Sequence, residues 1–318
     1  MTVQPHPPAV PARPNMPPAA TPQWHTDSSP IFTLGTLGIE IDSLSRQDSL
    51  GQLTADGTVD NPHDLAHLMT THPQAAEEVY WSLDMQGRPA FALVPSGPHA
   101  ALVHQRLVRL LIEQIQGSIE RISLAGYRLQ DSLRLPSGHE IPIVRPVLRG
   151  LYGWSTKQLV DELMTDARLP ADQLESTRNT LRHTLDRLYD DLHGGDKSWH
   201  RAVHYVLTNP YVFGHVVIDA ASRGLELKNL RAEDLQTARS DSRHLVRLTL
   251  TFLDRDEEQD EMLRHIDVDV HDIVPVICSE SDRGEPARTP LRYHHAGSRA
   301  SSSSDPTSYT HDEQETTS

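Results

Sequence analysis

Between about residue 30 and residue 280 the apolar positions fall into short groups whose spacing alternates between two and three-to-four, and each change of spacing marks a change of element. Residues 31–34 and 38–41 alternate as strands do. They are split by Gly35, which accepts the backbone angles of a turn or bulge, so a strand pair or one bent strand is expected. Asn61-Pro62-His63-Asp64 reads as a helix start, with an N-cap residue and Pro at the first position. Leu65, Leu68 and Met69 then mark one face up to His72-Pro73. Residues 79–84 and 90–94 flank Met85-Gln86-Gly87-Arg88-Pro89 as a hairpin. From Pro98 the spacing becomes helical: Leu102, Val103, Leu107, Leu110, Leu111 and Ile115 form a stripe, Gln105, Arg106, Arg109 and Glu113 face away, and Gly117 ends the helix.

Residues 119–124, 127–135 and 140–144 read as strands, the last two joined by a turn at Pro136-Ser137-Gly138. Three helical stretches follow at 159–164, 174–192 and 199–221, with Gly194-Gly195 breaking the longer two apart. Residues 245–253 and 263–270 alternate again across an acidic turn at 254–260, as a closing hairpin does. This order of strand, helix, strands, helices, strands predicts an α+β fold of mixed or antiparallel sheets with several packed helices, rather than a βαβ repeat.

The two ends lack this patterning. Residues 1–29 (MTVQPHPPAVPARPNMPPAATPQWHTDSS) repeat Pro without apolar periodicity, and 281–318 form a polar Ser/Thr/Pro tract; both are expected to be disordered, leaving one folded domain over 30–280. A formal charge of −15 removes the basic footprint of a general nucleic-acid binder. The single cysteine, Cys278, excludes an intramolecular disulfide framework and a cysteine-rich zinc module, which suits a reducing cytoplasm. The N-terminus has no apolar signal-type core, and no run approaches the roughly 18 apolar residues needed to span a bilayer, so no membrane partner is expected.

Motifs of chemistry are sparse. Gly35-Thr36-Leu37-Gly38 lacks the third glycine and the Lys-Ser/Thr of phosphate-binding loops, and no G-x-S-x-G elbow occurs. His63 with His67 and His200 with His204 stand at i,i+4, the spacing of paired metal ligands on one helix face. Asp64 rather than Glu follows His63, and two solvated histidine-rich faces account for both pairs, so no metal site is expected. Cys278 follows His271 by seven residues, but with Glu280 and Asp282 beside it an inert thiol at a strand end is expected rather than a nucleophile. The densest segment is Leu148-Arg149-Gly150-Leu151-Tyr152-Gly153-Trp154: two glycines free the backbone, and a guanidinium and two amphipathic rings supply anchor chemistry. Arg149, Tyr152 and Trp154 are therefore the candidate peptide- or partner-binding residues. The competing reading has Tyr152 and Trp154 closing the core before a helix at Ser155, with Arg149 on strand-end carbonyls. Trp81 is expected in the core. No catalytic residue and no cofactor is assigned.

Taken in order, these segments resemble the C-terminal domain of unknown function of PatG-type cyanobactin maturation proteases. The resemblance over about 30–280 runs through Leu34-Gly35-Thr36-Leu37-Gly38, Arg46 with Asp48-Ser49, Asn61-Pro62-His63-Asp64, Trp81-Ser82-Leu83 and Ala92-Leu93-Val94-Pro95-Ser96-Gly97-Pro98. It continues through 117–123, Ser137-Gly138, the 148–154 segment, Arg187-Leu188-Tyr189-Asp190-Asp191-Leu192, Thr208-Asn209, Ile266-Asp267-Val268 and Ile273-Val274-Pro275-Val276. The subtilisin-like domain of the full-length proteases has no counterpart here, so their peptidase and macrocyclase activity is not implied. The family's cysteine pair before the strand at 245–253, associated with zinc at a dimer contact, is also missing: residues 238–246 contain no Cys, and Arg239, Ser240, His244 and Leu245 do not replace two thiolates. The resemblance implies a non-catalytic accessory protein of ribosomal-peptide tailoring. It would bind a precursor or leader peptide or hold a tailoring enzyme, possible alternatives being a homodimerisation module without peptide binding and an unrecognised enzyme.

Overall fold

The computed structural model describes residues 28–282 except 55–57, 60, 168, 191, 193, 236–242 and 255–260. The 1–29 arm and the 281–318 tail lie outside the described residues except at their inner ends, as does most of the acidic turn at 254–260.

The first half is built on β1 (Ser29–Glu40), α1 (Leu44–Gly51), α2 (Pro62–Thr71) with a 3-10 turn at Pro73–Glu77, and β2 (Tyr80–Met85). It continues through β3 (Arg88–Leu93), α3 (Ala100–Ile115), β4 (Arg121–Arg134), β5 (Glu140–Pro146), a second 3-10 turn (Leu148–Gly150) and β6 (Tyr152–Trp154). The strands lie in the order β1-β2-β3-β5-β4-β6, and β1 also pairs with β4, so five strands close on themselves. With β3 parallel to β5 and a helix between the third and fourth strands, this is the connectivity of an OB-type barrel.

Closure depends on β1 changing partner in mid-strand: 29–35 pair with β4 and 36–40 with β2. The groups split by Gly35 are thus one bent strand. A side chain at Gly35 would sit 2.5 Å from the Asp84 carbonyl oxygen and 2.9 Å from Leu83 Cγ, so the changeover needs glycine. Segments 119–124 and 127–135 likewise fuse into the 14-residue β4, irregular only in its pairing with β5. The hairpin turn narrows to Gln86-Gly87, both at positive φ (52° and 71°), the geometry that matches strand twist. Asn61 caps α2 by accepting from the Asp64 amide. Ile31, Leu83, Leu107, Ile122, Leu124 and Val144 fill the interior, and Trp81 is buried there, donating Nε1 to the Ala76 carbonyl at 2.8 Å. In α3 the stripe differs by one position: Val108 is buried and Leu102 is about half exposed.

The second half comprises α4 (Thr156–Asp166), α5 (Leu174–Asp190), α6 (Ser198–Leu207), a π-helical turn (Pro210–Gly214) and α7 (His215–Ser222). These pack on an antiparallel sheet, β10-β9-β8-β7, made of β7 (Leu225–Leu235), β8 (Leu245–Asp254), β9 (Glu261–Asp269) and β10 (Val276–Asp282). The expected helix over 199–221 is interrupted because Pro210 cannot donate its amide, and Asn209 caps the next turn at the Val212 amide. The fold class is α+β, with one mixed and one antiparallel sheet.

Two large apolar clusters result, one in the barrel and one between helices and second sheet, with a small third around Ala92, Leu135 and Ile141; β1 joins the two large ones. Where β1 leaves an edge unpaired, α6 and its approach supply partners: Phe32 N donates to Gly195 O (3.1 Å), Leu34 N to His204 Nδ1 (3.1 Å), and Thr33 Oγ1 to Gly194 O (2.7 Å). The Phe32 and Tyr205 rings meet edge-on at 5.5 Å. His204 therefore belongs to no solvated face. It is fully buried and caps the strand edge just before the Gly35 changeover.

Candidate partner-binding surface

The 148–154 segment runs along one shoulder of the barrel. Its glycines are there for space, not for freedom. A methyl on Gly150 would overlap Ala125 Cβ and come within 2.9 Å of that residue's Cα, and one on Gly153 would meet Ile119 Cδ1 at 2.5 Å and Leu110 Cδ2 at 2.9 Å. The backbone is thus pressed against β4 and α3, and Arg106 Nε fastens it by donating to Leu151 O at 3.2 Å. This fixes which side chains turn inward. Leu151 is buried, whereas Leu148 and Tyr152 are 40% and 48% exposed. Leu102, also 48% exposed, lies one turn before Arg106 on the same side of α3. Large apolar side chains held in water on a rigid backbone suit a partner surface better than a core.

The three sequence candidates divide. Arg149 is exposed and pairs with Asp272 Oδ1 at 3.0 Å, rather than with strand-end carbonyls. Tyr152 is exposed beside it. Trp154 instead turns into the core, its ring 4.9 Å from that of Tyr189, over which the Arg121 guanidinium sits at 4.7 Å. Burial raises the Tyr189 hydroxyl far above its ordinary range, and that hydroxyl donates to Leu207 O at 3.1 Å.

Asp272 is held in place by a residue that the sequence reading did not single out. Arg201 on α6 is 4% exposed and donates Nη1 to Val270 O (2.7 Å) and Nη2 to the carbonyls of Asp272 and Ile273. Burial pulls its guanidinium down to about 10, opposed by Asp272 and Asp269, so it remains charged at neutral pH. The visible signal was an Arg on the buried stripe of α6, beside Ala202 and one turn before His204.

A groove of about 700 Å³ lies between the end of α2 with its 3-10 turn and one face of α3. His104 lies in it. Burial pushes its imidazole below the ordinary 6.5, against the pull of Glu77 and the Ala100 carbonyl. A base with a depressed folded pKa binds fewer protons folded than unfolded, so stability is lost as pH falls below about 6.5 toward the folded value. Urea melts at pH 7.5 and 5.5 should show a smaller loss for His104→Gln than for the parent; an equal loss would place the acid sensitivity elsewhere.

Among the described residues no cluster of three or more His, Cys, Asp or Glu is arranged to hold a metal. His63 is exposed, and His200 lies 3.5 Å from Asp196. Residues 239 and 240 fall outside the described residues. Elemental analysis of untagged protein should find no stoichiometric zinc. One zinc per chain or per dimer would contradict this and direct attention to His63 and His67. The Cys278 thiol is pushed up by burial, the opposite of a reactive thiol, and Sγ lies 3.7 Å from Val276 O.

Residues 30–131 match the family model of the PatG domain, and residues 171–283 match that of the PatG C-terminal domain. The chain belongs to the PatG-domain family. Its PatG domain covers the barrel from β1 through most of β4, and its PatG C-terminal domain covers α5 to β10. The shoulder carrying Arg149, Tyr152 and Trp154 lies between the two matches. A solved structure titled "PatG Domain of Unknown Function" is 26% identical, with a TM-score of 0.70 over 80% of this chain and 98% of its own. No curated protein matches the chain. Among the described residues no helix of this PatG-family chain is long and apolar enough to cross a membrane.

Proposed function

We propose that this chain is a cytoplasmic, non-catalytic accessory protein of cyanobactin-type ribosomal-peptide maturation, which binds a precursor or leader peptide, or the tailoring enzyme that carries it, through the shoulder at 148–152. The observation that carries the reading is the exposure of Leu148, Arg149 and Tyr152 on a backbone clamped against β4 and α3. An anchor held rigid loses little entropy on binding. Membership of the PatG-domain family supports the pathway, and the reading calls for no cofactor.

Arg149→Ala and Tyr152→Ala should each weaken binding of a precursor peptide by ~1 kcal/mol or more, the scale of an interface hot spot. Both should melt close to the parent, because the Arg149–Asp272 pair is solvent-exposed and such pairs contribute about 0–1 kcal/mol. Trp154→Ala is a poorer probe, since it opens a cavity against Tyr189. Unchanged affinity in both variants would move the binding surface elsewhere. A shift from dimer to monomer on Tyr152→Ala, without any peptide binding, would make the shoulder a self-association contact.

A further inference from the structure

The α2–α3 groove is separate from the shoulder. α3 carries two apolar stripes. Val103, Leu107, Leu110 and Leu111 face the barrel core, while Ala101, Val108 and Ile112, with His104 among them, form the floor of the groove opposite Met69 and Ala76. The lining extends from Ala101 to Gln116, about 22 Å along the helix. A floor of that length fits an elongated occupant.

Two further features select its class. The walls are helices and a 3-10 turn, whose backbone groups are turned to one another, so the groove offers no strand edge. An extended peptide laid there would leave its own amides and carbonyls unmatched against apolar surface, whereas a helix satisfies them internally. Charge narrows the choice again. Arg109 is engaged by Glu113 at 2.9 Å, while Glu77 makes no ion pair among the described residues, so the unmatched charge on the rim is negative. His104, whose imidazole burial pushes below its ordinary range, does little to offset it.

We propose that the groove between α2 and α3 docks an amphipathic helix of a peptide partner, taking its apolar face on Ala101, Ile112 and Pro73 and a flanking lysine or arginine on Glu77. The mode is that of a helix laid in a groove, read through anchors at i, i+3/i+4 and i+7.

The probe is a fluorescein-labelled helical peptide of about sixteen residues, four turns, with leucines at those positions and lysines beside them. Two controls have the same length: one with two central prolines, and one with glutamates for lysines. Titrated against the full chain and followed by anisotropy, the lysine helix should bind saturably, and each control at least about tenfold more weakly. Ala101→Trp, at an exposed position on the lining, should fill the groove and weaken the lysine helix by about tenfold or more with an unchanged melting curve. Glu77→Lys should invert the preference between lysine and glutamate helices. Arg149→Ala and Tyr152→Ala should leave this binding intact, so failure of the groove and failure of the shoulder are distinguishable. Absence of saturable binding, equal binding of the proline peptide, or indifference to Ala101→Trp overturns the proposal.

Discussion

Arg201→Ala is expected to lower the stability of the folded chain by ~2–3 kcal/mol, the scale of losing the hydrogen bonds that a charged donor makes to backbone carbonyls. The guanidinium is nearly excluded from water and donates to the carbonyls of Val270, Asp272 and Ile273, so truncation leaves those carbonyls without their donor. The same loop presents Asp272 to Arg149, so the loss should loosen the clamp between the two halves as well. Arg201→Lys keeps the charge but replaces a planar fork by a point donor, and should recover only part of the loss. Urea unfolding followed by circular dichroism measures both. A loss below about 1 kcal/mol for the alanine variant, the size of an ordinary exposed contact, would mean the loop stands without Arg201.

Gly150→Ala is the second large effect, and the smallest chemical change. One methyl would be driven into the Ala125 side chain and backbone at the point where Val147 N donates to Ala125 O at 2.9 Å. Overpacking against a strand that cannot retreat costs about 1–3 kcal/mol and occasionally more. Because β4 is pinned on both sides, by β1 and by β5 with β6, the upper end is expected. Pairing it with Ala125→Gly removes the overlapping Cβ but not the Cα, so the double variant should recover stability in part. Melting of Gly150→Ala at the parent temperature would show that the 148–150 turn can lift from β4.

Much of the fold is legible in the sequence because its elements bury one face. The Asn61-Pro62 start of α2, the β2–β3 hairpin, α3 and the β8–β9 hairpin all announce themselves by spacing and turn residues. What escapes is of two kinds. β7 (LELKNLRAEDL) is an edge strand that buries only Leu225 and Leu227 and carries charges on much of the rest, which blunts a sheet edge and erases the alternation by which a strand is read. β10 is the opposite edge, and α1 buries only Leu50 and Gly51. The second kind is relational. That the bent strand around Gly35 takes two partners, and that β3 runs parallel to β5, depends on contacts far apart in the chain.

The candidate surface was legible in the same partial way. The composition of 148–154 points to Arg149, Tyr152 and Trp154, but no spacing rule tells which ring goes inward, and glycines whose composition suggests freedom provide closeness instead. His204 shows the same limit. Its i,i+4 relation to His200 suggested a shared face, while its actual partner is the Leu34 amide 170 residues away. Arg201 and the groove left weaker traces, a cation on a buried stripe and a second apolar stripe on α3. Both become meaningful only once the facing elements are known.

Amide hydrogen exchange of the full chain, with and without a precursor peptide from the same biosynthetic locus, tests the central claim most directly. Peptide binding at the shoulder should slow exchange in segments covering 148–152 and in the adjoining loop at 270–273, and Tyr152→Ala should reduce that protection. Unchanged exchange across both segments at saturating peptide, or protection confined to surfaces remote from them, would contradict it.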